Sequence, residues 1–222
     1  MKYPNLNEER KLWKGGYKRV ACLDEAGRGP LAGPVVAAAV TINLKLKTKK
    51  EKRQLKTKNL LLKITKDSKK LIPRKREEIY KILINCSWIK WGIGIISPKI
   101  IDRVNILEAT KLAMEKAIQK LKTKKEKLKI DYLILDGKIK LNLKIPQKAI
   151  VKADEKVFSC SAASIIAKVT RDRIMIRYHK KYPKYRFDLH KGYPTKLHLK
   201  MLKKYGPCKI HRKSFQPLRK FN

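Results

Sequence analysis

Acid is scarce in this 222-residue chain: 18 Asp and Glu stand against 58 Lys and Arg, a formal net charge of +40. So large an imbalance argues against cationic partners and favours polyanions. Cysteine is scarce too. Cys22, Cys86, Cys160 and Cys208 lie 64, 74 and 48 residues apart, leaving no CxxC pair for zinc or a redox dithiol and fitting a reducing compartment. Long apolar runs are missing, since the longest, Leu31 to Ile42, is broken by Gly33 and Pro34. No membrane span is expected. The opening MKYPNLNEERKLW has no apolar stretch of the signal-peptide kind, so a cytoplasmic protein is expected.

What is present argues for a folded domain. Hydrophobic residues make up 43% of the chain and recur in β-branched and Leu-rich segments, which excludes general disorder. A chain of this length suits one domain that buries about 70% of its unfolded surface. Only 13 of the 58 basic residues are Arg, and many lysines stand where any polar residue would serve. The charge therefore tilts towards nucleic acid without deciding it.

Residues 1–18 read as a polar lead-in. RVACLDEAG at 19–27 and PVVAAAVTI at 34–42 read as two strands around a Gly/Pro-rich turn, followed by a Lys/Thr-rich insertion at 45–66. Pro73 opens a helix over 74–83. SWIKWGIGIIS at 87–97 reads as a strand with bulge-prone Gly92 and Gly94, and a helix from Pro98 to about Lys122 presents Leu107, Met114, Ile118 and Leu121 on one buried face. A Lys-rich loop at 122–129 leads to strands IDYLILDG at 130–137 and KAIVKAD at 148–154. A long helix over 161–179, with Ala162, Ile165, Ile166, Val169 and Ile176 inward, and a shorter one over 195–204 complete an α/β domain with a helical C-terminal part. Residues 216–222 form a short basic tail.

Against so basic a background, carboxylates that end apolar strands stand out. Asp24 and Glu25 end one strand, Asp136 a second and Asp154 a third. Any one of them alone reads as a turn or helix cap. Several converging on one sheet edge repel one another, and a hard divalent cation such as Mg²⁺ or Mn²⁺ is what neutralises such a group. Four oxygen donors beside a basic surface suit two-metal phosphodiester hydrolysis. Asp172, between Arg171 and Arg173, reads as a structural ion pair, and Glu108 as a surface group. His190, His198 and His211 lack zinc spacing and read as backbone or phosphate contacts. Lys69 and Lys70 read equally as phosphate contacts or as a solvated turn.

The same residues carry a resemblance. DEAGRGPLAGPV at 24–35 resembles the signature of the ribonuclease HII family, and the likeness continues through DSKKL at 67–71, IDRVNILEAT at 101–110, LDG at 135–137, KAD with SAASIIAKVTRDR at 152–173 and HKGYPTKLHLKMLKKYGPCKIHRKSF at 190–215. The resemblance implies a ribonuclease H-like fold, a mixed five-stranded sheet flanked by helices, over residues 19–215. It implies an endonuclease that cuts the RNA strand of RNA–DNA hybrids, and cuts 5′ of ribonucleotides embedded in duplex DNA to leave 5′-phosphate and 3′-hydroxyl ends. Asp24, Glu25, Asp136 and Asp154 would be the catalytic metal ligands for Mg or Mn. Gly27, Arg28 and Gly29 would approach the minor groove and read the ribose 2′-hydroxyl, with Tyr193 packed on the sugar at the junction. A monomer is expected.

Three departures from the family pattern are visible. GYPT replaces the usual GYGT, so Pro194 removes an N–H and stiffens the chain beside Tyr193. KADEK places Glu155 beside Asp154, and the Lys-rich stretch before DSKKL is longer than usual. Two rivals remain open from sequence: a non-catalytic basic RNA-binding protein of ribosomal type, and another ribonuclease H-fold nuclease such as a resolvase or transposase.

Overall fold

The structure, a computed structural model, describes residues 4–42, 71–121 and 129–221. The insertion at 45–66, Lys69 and Lys70, and nearly all of the loop at 122–129 lie outside the described residues. In chain order the elements are α1 (Asn7–Lys14), β1 (Val20–Ala26), β2 (Val35–Ile42), α2 (Pro73–Asn85), β3 (Ile89–Ile96), α3 (Pro98–Gln119), β4 (Tyr132–Asp136), β5 (Gln147–Ile150), α4 (Ala153–Lys156), α5 (Phe158–Lys181), α6 (Phe187–His190) and α7 (Lys196–Tyr205). The strands form one mixed sheet in the order β3-β2-β1-β4-β5. β3, β2 and β1 pair antiparallel, while β1–β4 and β4–β5 pair parallel.

β2 shows why the sheet is buried on both faces. Val36, Ala38, Val40 and Ile42 alternate onto one face, packed with Ile165, Ile166 and Val169 of α5 and Ile79 and Leu83 of α2. Val35, Ala37 and Ala39 take the other, packed with Ala113, Met114 and Ala117 of α3. That is the period-2 alternation of a strand sandwiched between helix layers. No described helix is long and apolar enough to cross a membrane.

Several expectations need correction. Gly92 and Gly94 form no bulge: they pair in unbroken register with Ala39 and Ala37. They are glycine because α3 lies directly on them, where a Cβ would come within 2.2 Å of the Ala117 carbonyl oxygen at Gly92 and 1.8 Å of the Ala113 oxygen at Gly94. α3 is broken at Asn105 (φ 66°, ψ 170°), whose side chain accepts from the N–H groups of Leu107 and Glu108 at 2.9 and 3.1 Å and so caps the second half. The break turns Leu107 outward, 42% exposed, while Met114 and Leu121 stay buried. Ile176 is also exposed, because the last turns of α5 keep only Arg171 and Met175 buried.

Within residues 1–18, read as a lead-in, the chain forms α1. Its Glu9 is 1% exposed and accepts from Ser159 N–H at 3.2 Å and Ser159 Oγ at 2.7 Å. A carboxylate from α1 thus caps the first turn of α5, where Val157 offers no capping side chain. Glu9 keeps one carboxylate oxygen buried without a hydrogen-bond partner among the described residues, and burial raises its pKa.

Candidate active site

The register of the parallel pair builds the site. Leu23 lies opposite Leu135, so Asp24 and Asp136, one residue further on, leave the sheet side by side. β5 stops at Ile150, short of Asp154, which correction places Asp154 in the first turn of α4 rather than at a strand end. Lys152, in the left-handed region at φ 57°, turns the chain, and Ala153 N–H donates to Asp136 Oδ1 at 2.6 Å. Oxygens of Asp24, Asp136 and Asp154 then all lie within 4.8 Å of one another.

Glu25 does not join that trio. It follows Asp24 in an extended strand, so the two side chains point to opposite faces, and Glu25 Oε1 lies 3.5 Å from Arg28 Nη1. Glu155, half exposed, pairs with Lys152 at 3.7 Å and is likewise outside the trio. Asp172 ion-pairs with Lys168 at 2.9 Å, and Glu108 with Lys111 at 2.7 Å.

Asp24 is the strained member. Burial, reinforced by the charges of Glu25 and Asp136, holds its carboxyl well above the ordinary range, partly offset by the Ser164 hydroxyl and the Glu25 N–H at 2.7 Å. Its Oδ2 is buried without a hydrogen-bond partner among the described residues. Three converging carboxylates, one with an orphaned oxygen, fit a hard divalent cation: the donors are all oxygen, and the cation would remove both the repulsion and the unmet acceptor.

The Gly27–Pro34 turn beside this cluster is held from beneath by two arginines that sequence reasoning missed. Arg171 and Arg212 are both fully buried. Arg212 donates to the carbonyls of Gly33 (Nε, 2.9 Å), Arg28 (Nη1, 2.9 Å) and Gly27 (Nη2, 2.6 Å). Arg171 donates to those of Pro34, Ala32 and Lys191, each at 3.0 Å. Six backbone carbonyls thus solvate two guanidiniums, and burial lowers both pKa values, that of Arg212 to about 9. Gly27 is needed for this packing: at φ +96° its Cβ would sit 2.1 Å from Arg171 Nε. Gly29 has nothing within 4 Å of such a Cβ, so its surface is open.

Tyr193 flanks the same turn, 38% exposed, with Lys168 Nζ 5.5 Å and Arg171 Cζ 5.6 Å from its ring centre. Leu31 N–H donates to the Gly192 carbonyl at 2.8 Å, joining the two segments. His190, His198 and His211 are buried behind them, in contact with backbone groups rather than with the carboxylates.

The family model for ribonuclease HII matches residues 21–218. The chain belongs to the ribonuclease HII family. A ribonuclease HII of Alkaliphilus metalliredigens is 44% identical over 211 residues, covering 95% of this chain and 96% of its own. Among solved structures, the ribonuclease H2 of Pyrococcus horikoshii is similar with a TM-score of 0.70 at 29% identity, covering 91% of this chain and 96% of its own. A Bst ribonuclease HIII solved in complex with Mn²⁺ shares the fold, with a TM-score of 0.66 at 16% identity over 91% of this chain and 68% of its own. As a ribonuclease HII, this chain is a ribonuclease H, an endonuclease that hydrolyses phosphodiester bonds. Its mixed five-stranded sheet with flanking helices is the expected fold.

Proposed function

We propose that this ribonuclease HII cuts the RNA strand of RNA–DNA hybrids and also cuts 5′ of single ribonucleotides embedded in duplex DNA, leaving 5′-phosphate and 3′-hydroxyl ends. The observation that carries the reading is the convergence of Asp24, Asp136 and Asp154 within 4.8 Å, directly beside the Gly27–Pro34 turn. Asp24, Asp136 and Asp154 would hold two divalent cations, Mg²⁺ or Mn²⁺, with Glu25 a fourth ligand once its side chain leaves Arg28 and swings round the strand end to them. Bound there, the cations supply Lewis-acid stabilisation of the charge that develops on the scissile phosphate.

The chain's own residues do the rest. Ala153 N–H fixes the Asp136 carboxylate and Glu25 N–H fixes that of Asp24, so two of the ligands are oriented before any ion arrives. Arg212 draws the carbonyls of Gly27 and Arg28 inward. The opposite side of that backbone, with its N–H groups and the open face of Gly29, is left for the ribose 2′-hydroxyl. Tyr193 offers a rigid aromatic face to the neighbouring sugar at low entropic cost. The basic surface supplies sequence-independent affinity for the phosphate backbone.

The test is cleavage of a DNA duplex carrying one ribonucleotide, with both product ends identified, beside a uniform RNA–DNA hybrid and an all-DNA duplex. Cutting of the first two and not the third is expected. An uncut single-ribonucleotide duplex would restrict the enzyme to hybrids.

A further inference from the structure

Behind Tyr193 the position of each histidine proton can be read from the groups that face it. His190 Nε2 lies 2.7 Å from the Tyr185 carbonyl, which can only accept, so Nε2 carries the proton; Nδ1 then accepts from Gly192 N–H at 3.1 Å. His211 Nδ1 faces the N–H of Cys208 at 2.9 Å, an obligate donor, so this nitrogen is bare and the proton is on Nε2. The Cys208 thiol and carbonyl lie further from the same nitrogen, at 3.2 and 3.3 Å. His211 Nε2 points at His198 Nε2 at 3.1 Å, and the other nitrogen of His198, Nδ1, lies 2.9 Å from the Tyr193 carbonyl. A carbonyl again can only accept. His198 therefore carries its proton on Nδ1 and leaves Nε2 bare to receive from His211.

Every bond then runs one way: Cys208 N–H to His211, His211 to His198, His198 to the Tyr193 carbonyl. A second proton on His198 would set two N–H groups head to head across 3.1 Å, and one on His211 would fall on Nδ1, head to head with the Cys208 N–H at 2.9 Å. Burial disfavours that charge as well and pushes both histidines down to about 4, while His190 is stacked 4.3 Å from His198 and is also lowered. The Tyr193 backbone is fixed at both its polar groups. Its N–H donates to the His190 carbonyl at 2.9 Å, and its carbonyl accepts from His198 and, at 2.8 Å, from Thr195 N–H. Pro194 adds its own restriction, since a residue before proline is held in extended backbone.

We infer that His198 and His211 are positioning residues for Tyr193, a neutral pair of fixed tautomers that sets where its ring stands and so tunes selectivity for the ribonucleotide junction. The effect on selectivity rests on the sugar contact proposed above for Tyr193. The tautomer assignment does not.

Two measurements on the full chain test it. In long-range ¹H–¹⁵N spectra at pH 7, with the histidines assigned by single substitutions, His198 should show the Nδ1–H form and His190 and His211 the Nε2–H form. An Nε2–H tautomer or an imidazolium at His198 would overturn the relay. In cleavage, His198→Ala should lower the ratio of kcat/KM on a single embedded ribonucleotide to kcat/KM on a uniform hybrid by about tenfold. His198→Asn, whose amide can replace the Nδ1 donor, should recover most of that ratio. A role in folding alone would lower both rates together, so an unchanged ratio in His198→Ala contradicts positioning. Should that variant not fold, His211→Gln keeps a donor towards His198, and a switch of His198 to Nε2–H there overturns the relay. Tyr193→Ala is measured alongside: if it leaves the ratio unchanged, the sugar contact fails and the spectra alone judge the relay.

Discussion

Asp24 and Asp136 stand side by side because Leu23 and Leu135, the residues before them, are paired in register on adjacent parallel strands. The arrangement sets two negative charges together at a buried edge, where burial first, and then the charges of Glu25 and Asp136, hold the Asp24 carboxyl well above its ordinary range. Such a pair is costly to the fold and useful only to a cation.

Removing that repulsion should therefore stabilise the metal-free protein. Asp24→Asn is expected to melt about 2–4 °C higher than wild type at neutral pH without divalent ions, the shift given by roughly 1 kcal/mol in a chain of this size. Added Mn²⁺ should raise the melting temperature of wild type and leave that of Asp24→Asn nearly unchanged. Thermal melts with and without the ion check both parts.

The glycines of the turn should separate folding from recognition. Gly27→Ala forces a Cβ to 2.1 Å from Arg171 Nε at a positive φ, and a loss of about 2–4 kcal/mol is expected in urea denaturation. Gly29→Ala meets nothing within 4 Å and should change stability by no more than about 0.5 kcal/mol. It should nevertheless cut hydrolysis of a hybrid at least tenfold, about 1.4 kcal/mol of barrier, if the sugar approaches there. Full activity in Gly29→Ala would remove Gly29 from the recognition surface.

These contrasts also show what the sequence made legible. Asp24 and Asp136 stood out because each ends an apolar run in a chain poor in acid. Arg171 was hidden because buried arginine is rare and RDR reads as a solvated helix face; the signal available was its spacing, four residues from both Ala167 and Met175 on the buried side of α5. Arg212 sits outside any helix or strand, so no periodicity could mark it. Glu9 was passed over as lead-in polarity, since its partner Ser159 is 150 residues away. The break in α3 was missed because Asn105 is an ordinary helix residue until its side chain caps the turn after it.

The buried histidines predict a pH dependence. Their folded pKa values lie below the ordinary 6.5, at about 4 for His198 and His211, so in that interval the unfolded chain binds more protons. Stability should fall as pH drops from 6.5 towards 4. Asp24, raised rather than lowered, works in the opposite sense over part of this range. The quantity to compare is thus the difference between wild type and a His198→Asn, His211→Gln double variant in urea midpoint. That difference should shrink steadily between pH 6.5 and 4.5; a constant difference would mean that the imidazoles are not buried and neutral.

The carboxylate cluster is the centre of the account, and Asp136 is its most direct probe, because amide oxygen is an uncharged and weaker ligand in a group otherwise unchanged in size. The measurement is the single-turnover rate of hybrid cleavage by Asp136→Asn, with the bound fraction of substrate matched to that of wild type. The account predicts a loss of about a hundredfold or more, roughly 2.7 kcal/mol of barrier, with binding nearly intact. A loss smaller than tenfold would contradict the assignment of Asp136 to the metals.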